Sequence, residues 1–215
     1  MSLLFAQYWD VIEEKEDEYA GYFNDTYLPA IAALGFVPVG GYYVEIGFGP
    51  RTIVVFSSES LDEISRIITG GDFRGLTLRL KKFVANLNNL VLEPQGTVKT
   101  GKYGVQRSVW KFNQYYNLRP EVKEEYERFF VDEYIPKMEK ISFVKVTNCW
   151  NVILGGFSDI ILEFTFREPE DIGRLVRNED YLLYTGRLKR EYVTNYTNRV
   201  FRSTQWFREP KWFRL

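Results

Sequence analysis

The sequence contains no histidine. That absence excludes Ser-His-Asp and Cys-His catalysis, HExxH zinc sites and histidine-ligated haem, since each rests on an imidazole. Cysteine is nearly missing too. Cys149 stands alone, so no disulfide can form within the chain, which fits a reducing compartment. A charge surplus is also lacking. The 28 basic and 29 acidic side chains leave a formal net charge of −1, without the basic excess of a dedicated nucleic-acid binder. No nucleic-acid partner is expected. The longest uncharged stretch, residues 28–44, is interrupted by Pro29, Gly35, Pro38, Gly40 and Gly41. A spanning helix needs about 20 mostly apolar residues without such breaks. Residues 1–10 lack the basic start of a signal peptide. The expectation is a cytoplasmic protein without stable membrane insertion, in which the sequons at Asn24 and Asn195 are chance matches.

Apolar residues are plentiful. They make up 45% of the 215 residues, and aromatics alone make up 17%. A chain of this size and composition buries a sizeable core as one large domain or two small ones, which excludes global disorder.

Shifted by about 107 positions, the sequence matches itself. Phe5-Ala6-Gln7-Tyr8-Trp9-Asp10-Val11 overlays Phe112-Asn113-Gln114-Tyr115-Tyr116-Asn117-Leu118. Tyr27-Leu28-Pro29 overlays Tyr134-Ile135-Pro136, and Phe36-Val37 overlays Phe143-Val144. After a slip of one residue, Arg79-Leu80-Lys81 overlays Arg187-Leu188-Lys189. The chain therefore divides into repeats at 1–94 and 105–204, a Gly-rich linker between them, and a tail at 205–215.

Each repeat has one element order. In the first, Leu4–Val11 alternates as a strand. Residues 17–34 carry Tyr19, Tyr22, Phe23, Thr26, Ala30 and Ile31 at helical spacing, with Pro29 bending the helix or starting a new turn and Gly35 stopping it. Strands at 37–46 and 52–57 flank the turn Gly47-Phe48-Gly49-Pro50. Ser60 caps a helix over 61–69 that resumes from 72 to 86, and 89–93 closes the unit as a strand. This is the β-α-β-β-α-β ferredoxin-like unit. Both its helices lie on one sheet face. Ile53-Val54-Val55-Phe56 and Ile160-Ile161-Leu162 are apolar on both faces, so the bare face needs a cover. The second repeat supplies it, and the two sheets curl into a barrel with helices outside. The fold expected is α+β, two tandem ferredoxin-like repeats forming an intramolecular α/β barrel.

Four segments carry a resemblance to a known group: Gln114-Tyr115-Tyr116-Asn117-Leu118-Arg119-Pro120, Tyr134-Ile135-Pro136, Val44-Glu45-Ile46-Gly47 and Ser58-Glu59-Ser60-Leu61-Asp62-Glu63. The chain resembles the dimeric α/β barrel superfamily, and within it the NIPSNAP-like branch. The resemblance implies a ligand position between sheet and helices or at the barrel centre. It also implies a broad set of roles: cofactor-free monooxygenases, isomerases, haem proteins and proteins of unknown role. A histidine-free member would have to hold haem on a tyrosinate. No cofactor and no metal is expected. The chain would be a monomer with a pseudo-twofold barrel, or a homodimer of such barrels.

The candidate ligand-binding residues are Gln7, Trp9, Tyr43, Gln114, Tyr116 and Trp150. Gln7 and Gln114 stand between aromatics on one strand face, where an amide could orient a flat polar ligand. The same amides would equally satisfy buried backbone groups, or each other across the pseudo-twofold axis. Tyr43 and Trp150 read as equivalent aromatics that line a pocket or fill the core. Glu45, with Gln7 and Gln114, is a candidate for catalysis. Its partner in this register is Val152, so it is either a buried general base present in one half only or an exposed strand end. Asp10 and Glu163 have the same two readings. Arg79, Arg187, Lys81, Lys189 and Arg190 bind an anion or form a solvated helix face, and Cys149 reads as a buried inert thiol. In the tail, Trp206-Phe207-Arg208 and Trp212-Phe213-Arg214 would clasp the domain or a partner chain. The function expected is binding of a small hydrophobic or aromatic molecule, with cofactor-independent oxygenation or isomerisation as its enzymatic form. The alternative is a non-catalytic interaction module that uses the tail.

Overall fold

A computed structural model describes residues 2–96, 103, 106 and 108–204. Eight antiparallel strands close into one barrel in the order β1-β3-β2-β8-β5-β7-β6-β4. They are β1 Leu3–Val11, β2 Val37–Ile46, β3 Thr52–Ser58, β4 Val84–Pro94, β5 Trp110–Leu118, β6 Lys145–Leu154, β7 Ile160–Phe166 and β8 Val193–Ser203. Each repeat contributes four strands. The repeats join at two seams, where Val44 of β2 faces Phe201 of β8 and Leu92 of β4 faces Val152 of β6. Closure removes every strand edge, so no unpaired row of backbone groups is left between the halves.

The helices lie outside. The first repeat has α1 Glu16–Tyr22 and α2 Leu28–Ala33, then α3 Leu61–Thr69 and α4 Gly71–Leu80. The second has α5 Lys123–Arg128 and α6 Ile135–Glu139, then α7 Glu170–Leu175 and α8 Glu179–Arg187. Between α1 and α2, residues 23–27 form a π-helical turn, and residues 129–134 do the same between α5 and α6. Proline explains both. Pro29 and Pro136 have no N–H for the usual helical bond, and the helix widens just before them. The Leu28 N–H then donates to the Phe23 carbonyl and the Ile135 N–H to the Phe130 carbonyl, five residues back. Ser60 caps α3 as expected, its hydroxyl accepting from the Glu63 N–H.

One expectation needs correction. The second helix stops at Leu80 instead of continuing to Asn86, and β4 begins at Val84. Val84 and Ala85 pair with Val11 and Asp10 of β1, and that tertiary ladder outweighs local helical spacing. Asn86 follows with φ +55°, as Asn195 does in β8 with φ +52°. Each is a left-handed residue where the register with β1 or β5 shifts, the usual marker of a bulge.

Apolar side chains fall into three layers. Phe5, Trp9, Phe23, Tyr27, Phe36 and Phe56 lie between the first repeat's strands and helices. Phe112, Tyr116, Phe129, Phe130, Tyr134 and Phe164 do the same in the second. The third layer fills the barrel, and much of it is aliphatic: Leu4, Ala6, Val44, Ile53, Val55, Leu90, Leu92 and Ile161, with Tyr42, Tyr115, Trp150 and Phe201. Each fully buried large side chain contributes roughly 1.5–3 kcal/mol, so the aromatics stabilise the outer layers most.

Candidate functional site

The two repeats are not alike inside the barrel. Along one rung of the first repeat, Leu90, Ala6 and Val55 lie side by side on β4, β1 and β3. The equivalent rung of the second holds Arg199, Asn113 and Glu163 on β8, β5 and β7. On the next rung Leu4 pairs with Leu92, and its counterpart Lys111 pairs with Phe201. Four aliphatic positions in one half are therefore polar or charged in the other. All four polar residues are buried.

Lys111 and Glu163 form an ion pair of 2.7 Å, with 2% and 7% of their side chains exposed. Tyr103, from the segment between the repeats, donates its hydroxyl to Glu163 Oε1 at 2.9 Å and accepts from Lys111 Nζ. The ammonium also lies 4.6 Å from the Tyr42 ring centre and 5.0 Å from that of Tyr103. Burial alone would lower the Lys111 pKa. Glu163 and Tyr42 more than offset this and hold it above the ordinary lysine value. Tyr103 also lies edge-on to Trp150 at 5.2 Å.

The other end of the barrel is open. A cavity of about 190 Å³ there is bordered by Tyr8, Leu90, Tyr115, Phe157, Ile161 and Arg199, among others. The hairpin tips of both repeats meet over it, Phe48 against Phe157 at 4.9 Å. Burial raises the hydroxyl pKa of both Tyr8 and Tyr115, while Arg199 pulls each the other way. Both phenols therefore stay neutral at ordinary pH.

The sequence candidates lie elsewhere, with two exceptions. Gln7 and Gln114 face the helices, not the barrel. Gln7 Nε2 donates to Asn89 Oδ1 at 3.0 Å, and its Oε1 accepts from the Tyr27 hydroxyl at 2.7 Å. Gln114 repeats this with Tyr181 at 3.2 Å and Tyr134 at 3.1 Å. Their partners are side chains, and the two glutamines do not bond each other. The matched Tyr-Leu-Pro and Tyr-Ile-Pro segments thus have one structural job: the π turn positions the tyrosine that holds the strand glutamine. Trp9 donates to the Tyr19 hydroxyl at 3.0 Å, and the Tyr116 hydroxyl meets that of Tyr126 at 3.0 Å. Both are in the sheet–helix layers.

Trp150 and Glu163 do face the barrel interior. Strand pairing corrects two assignments made at a shift of 107. Tyr42 pairs with Ile53 as Trp150 pairs with Ile161, so Trp150 corresponds to Tyr42 rather than Tyr43. By the same count Glu45 corresponds to Ile153, not Val152. The one-residue slip already applies at β2, well before the second helix. Glu45 is no exposed strand end: only 12% of its side chain is exposed, and Arg202 Nε donates to its Oε1 at 2.5 Å across the β2–β8 seam. Asp10 accepts from the Arg51 N–H and from Asn86 Nδ2, both at 2.8 Å. On the helix face, Arg187 pairs with Glu133 and Glu191. Burial pushes the Cys149 thiol up. The tail at 205–215 lies outside the described residues.

Sequence reading missed Lys111, Asn113 and Arg199. Comparison of the repeats position by position would have found them, because each replaces an aliphatic residue.

Haem, which the resemblance allows, does not fit the residues present. Tyrosinate would be the ligand, and burial raises Tyr116, Tyr126 and Tyr134 above the ordinary phenol value. Around them Phe112, Phe129, Phe130 and Met138 fill the sheet–helix layer. Among the described residues, no three His, Cys, Asp or Glu side chains cluster as a metal site, and no helix is long and apolar enough to cross a membrane.

No family model matches the sequence, and no curated protein matches it. Solved structures do match. The chain is similar to a candidate monooxygenase from Lactobacillus acidophilus NCFM, at 13% identity and TM-score 0.62, over 94% of this chain and 93% of that one. An anthrone oxidase-like protein matches at 10% identity and TM-score 0.66, over 94% and 91%. A NIPSNAP family protein from Agrobacterium tumefaciens str. C58 aligns over 44% of this chain and 94% of its own, at 18% identity and TM-score 0.37. The two full-length likenesses agree with the fold: tandem ferredoxin-like repeats closed into one α/β barrel within a single chain.

Proposed function

We propose that the protein binds a small aromatic molecule in the open end of its barrel. The observation that carries this reading is the cavity beneath Phe48 and Phe157, with Leu90 and Ile161 as apolar walls and Tyr8 and Tyr115 as neutral phenols. Its volume of about 190 Å³ is below the range of about 300–1,000 Å³ for drug-sized ligands. It exceeds the roughly 150 Å³ of an engineered apolar cavity that accepts benzene. A single ring with one small substituent suits that size. Glu163, the interior carboxylate, is engaged by Lys111 and Tyr103, which favours binding over proton abstraction in an oxygenase or isomerase.

The test is saturation-transfer NMR with a panel of single-ring aromatics, alongside native mass spectrometry of the purified protein. Binding that is lost on filling the cavity with Leu90→Trp supports the reading. Absence of binding by every ring in the panel, or binding unaffected by Leu90→Trp in a folded variant, refutes it.

A further inference from the structure

We infer that the molecule bound at the barrel mouth is an aromatic carboxylate and that Arg199 is its anion anchor. This rests on the binding reading above and adds the ligand's charge and orientation.

Arg199 is 3% exposed, and a guanidinium is always charged. The other buried cation among the described residues, Lys111, has Glu163, and Arg202 at the β2–β8 seam has Glu45. Among the described residues Arg199 has no ion-pair partner, and its Nε lies buried without a hydrogen bond. Glu163, the carboxylate on the same rung, is already paired with Lys111. Asn113 stands between Glu163 and Arg199 in the ladder.

The surroundings of Arg199 are aromatic. Its guanidinium lies 4.3 Å from the Phe48 ring centre, 4.9 Å from Phe157, 5.1 Å from Tyr115 and 5.8 Å from Tyr8. Such rings attract a cation through their faces, but they do not accept its in-plane N–H groups the way a carboxylate does. The side chain is also confined. Gly47 and Gly49 both have positive φ, and a Cβ at either would come within 2.9 Å of an Arg199 side-chain atom. Only glycines let the hairpin close this tightly over it. A charged fork, closely covered, bordering a cavity and with its buried Nε unbonded is a preorganised anion site.

The cavity adds the rest of the ligand. Its opposite wall carries Leu90, the position that corresponds to Arg199 in the first repeat. A ring placed on Leu90 and Ile161 would point a carboxylate toward Arg199. The charge balance of the interior agrees: Lys111 and Glu163 cancel, Tyr8 and Tyr115 are neutral, and Arg199 leaves one positive charge that a monoanion neutralises.

The experiment titrates the full-length protein with benzoate and with benzamide, which has the same shape without the charge, by isothermal calorimetry. Benzoate should bind about 10- to 100-fold more tightly, from the worth of charge-assisted hydrogen bonds. Arg199→Gln should abolish that preference and leave benzamide within about threefold of its wild-type affinity. Equal affinity of wild type for both compounds overturns the anion inference and leaves the binding reading standing. Binding of neither compound overturns the anion inference, and the binding reading falls with it only if every other ring of the panel also fails to bind. Retention of the benzoate preference by Arg199→Gln overturns the role of Arg199. Circular dichroism establishes that the variant folds. If it does not, the benzoate–benzamide comparison on the unmodified protein decides the ligand's charge by itself.

Discussion

Replacing Lys111 and Glu163 by their counterparts from the first repeat tests how the interior is held together. Lys111→Leu leaves Glu163 buried with the Tyr103 hydroxyl as its remaining partner from the trio. Removing one member of a buried ion pair typically costs about 3–5 kcal/mol. For a chain of 215 residues each kcal/mol shifts Tm by about 2–4 °C, so a fall of roughly 6–20 °C is expected. Glu163→Val strands the ammonium instead. The Tyr42 and Tyr103 rings soften that loss, which should sit near the lower end of the same range. The double variant Lys111→Leu/Glu163→Val restores the residues that already pack in the first repeat, at Leu4 and Val55. It should return to within about 1 kcal/mol of wild type or exceed it. Any shortfall that remains comes from the Tyr103 hydroxyl left without Glu163, and adding Tyr103→Phe should recover it. Urea unfolding of the four proteins gives the coupling through a double-mutant cycle. If the two single losses simply add in the double variant, the pair is not coupled and the account of the interior is wrong. The pH dependence supplies a second check. The folded lysine pKa is raised above 10.5, so the stabilisation is fully present below that value and is lost as pH rises through the higher folded value. On the alkaline side the gap between wild type and Lys111→Leu should therefore persist until strong alkali.

Other parts of the fold make further predictions. Ser60→Ala removes the acceptor for the Glu63 N–H and should lower stability by about 1 kcal/mol in thermal denaturation. Tyr134→Phe removes the donor to Gln114 Oε1 and should cost about 1–3 kcal/mol in urea unfolding; a neutral result would mean that the amide needs no such partner. Gly155→Ala would place a Cβ 2.2 Å from the Asn89 carbonyl oxygen at φ +79°, so amide exchange at Leu90 and Val91 should accelerate, and unchanged protection would refute the close approach. Cys149 is fully buried with a raised thiol pKa; it should react with a thiol reagent only on denaturation, and rapid labelling of the native protein would contradict its placement.

The repeat made most of the fold legible. Matched Gln, Tyr and Pro positions fix both element order and pairing of the halves, because one contact is built twice. The cavity was not legible for a physical reason. Lys111, Asn113 and Tyr115 alternate with Phe112, Gln114 and Tyr116 along β5, and in an open sheet the first set would face water. Closure of the barrel turns that face inward, and only the partner strands reveal it. Gln7 and Gln114 are kept in both repeats, and duplication preserves what holds each unit together. Residues that do something in one place only are found among those it failed to keep. The helix ends at Leu80, against its own local spacing, because Val84 and Ala85 pair with β1, far away in sequence.

The covalent join between the repeats has a consequence for symmetry. Two identical halves related by a twofold axis show every residue twice. In such a pair Arg199 would face a second arginine across the axis, and the Leu90 surface would lie beside its own copy. No cation could then stand at one end of a ligand with a hydrocarbon wall at the other. Joining the halves lifts that constraint, and the mouth acquires a direction. A molecule with two unlike ends can then be received in one orientation.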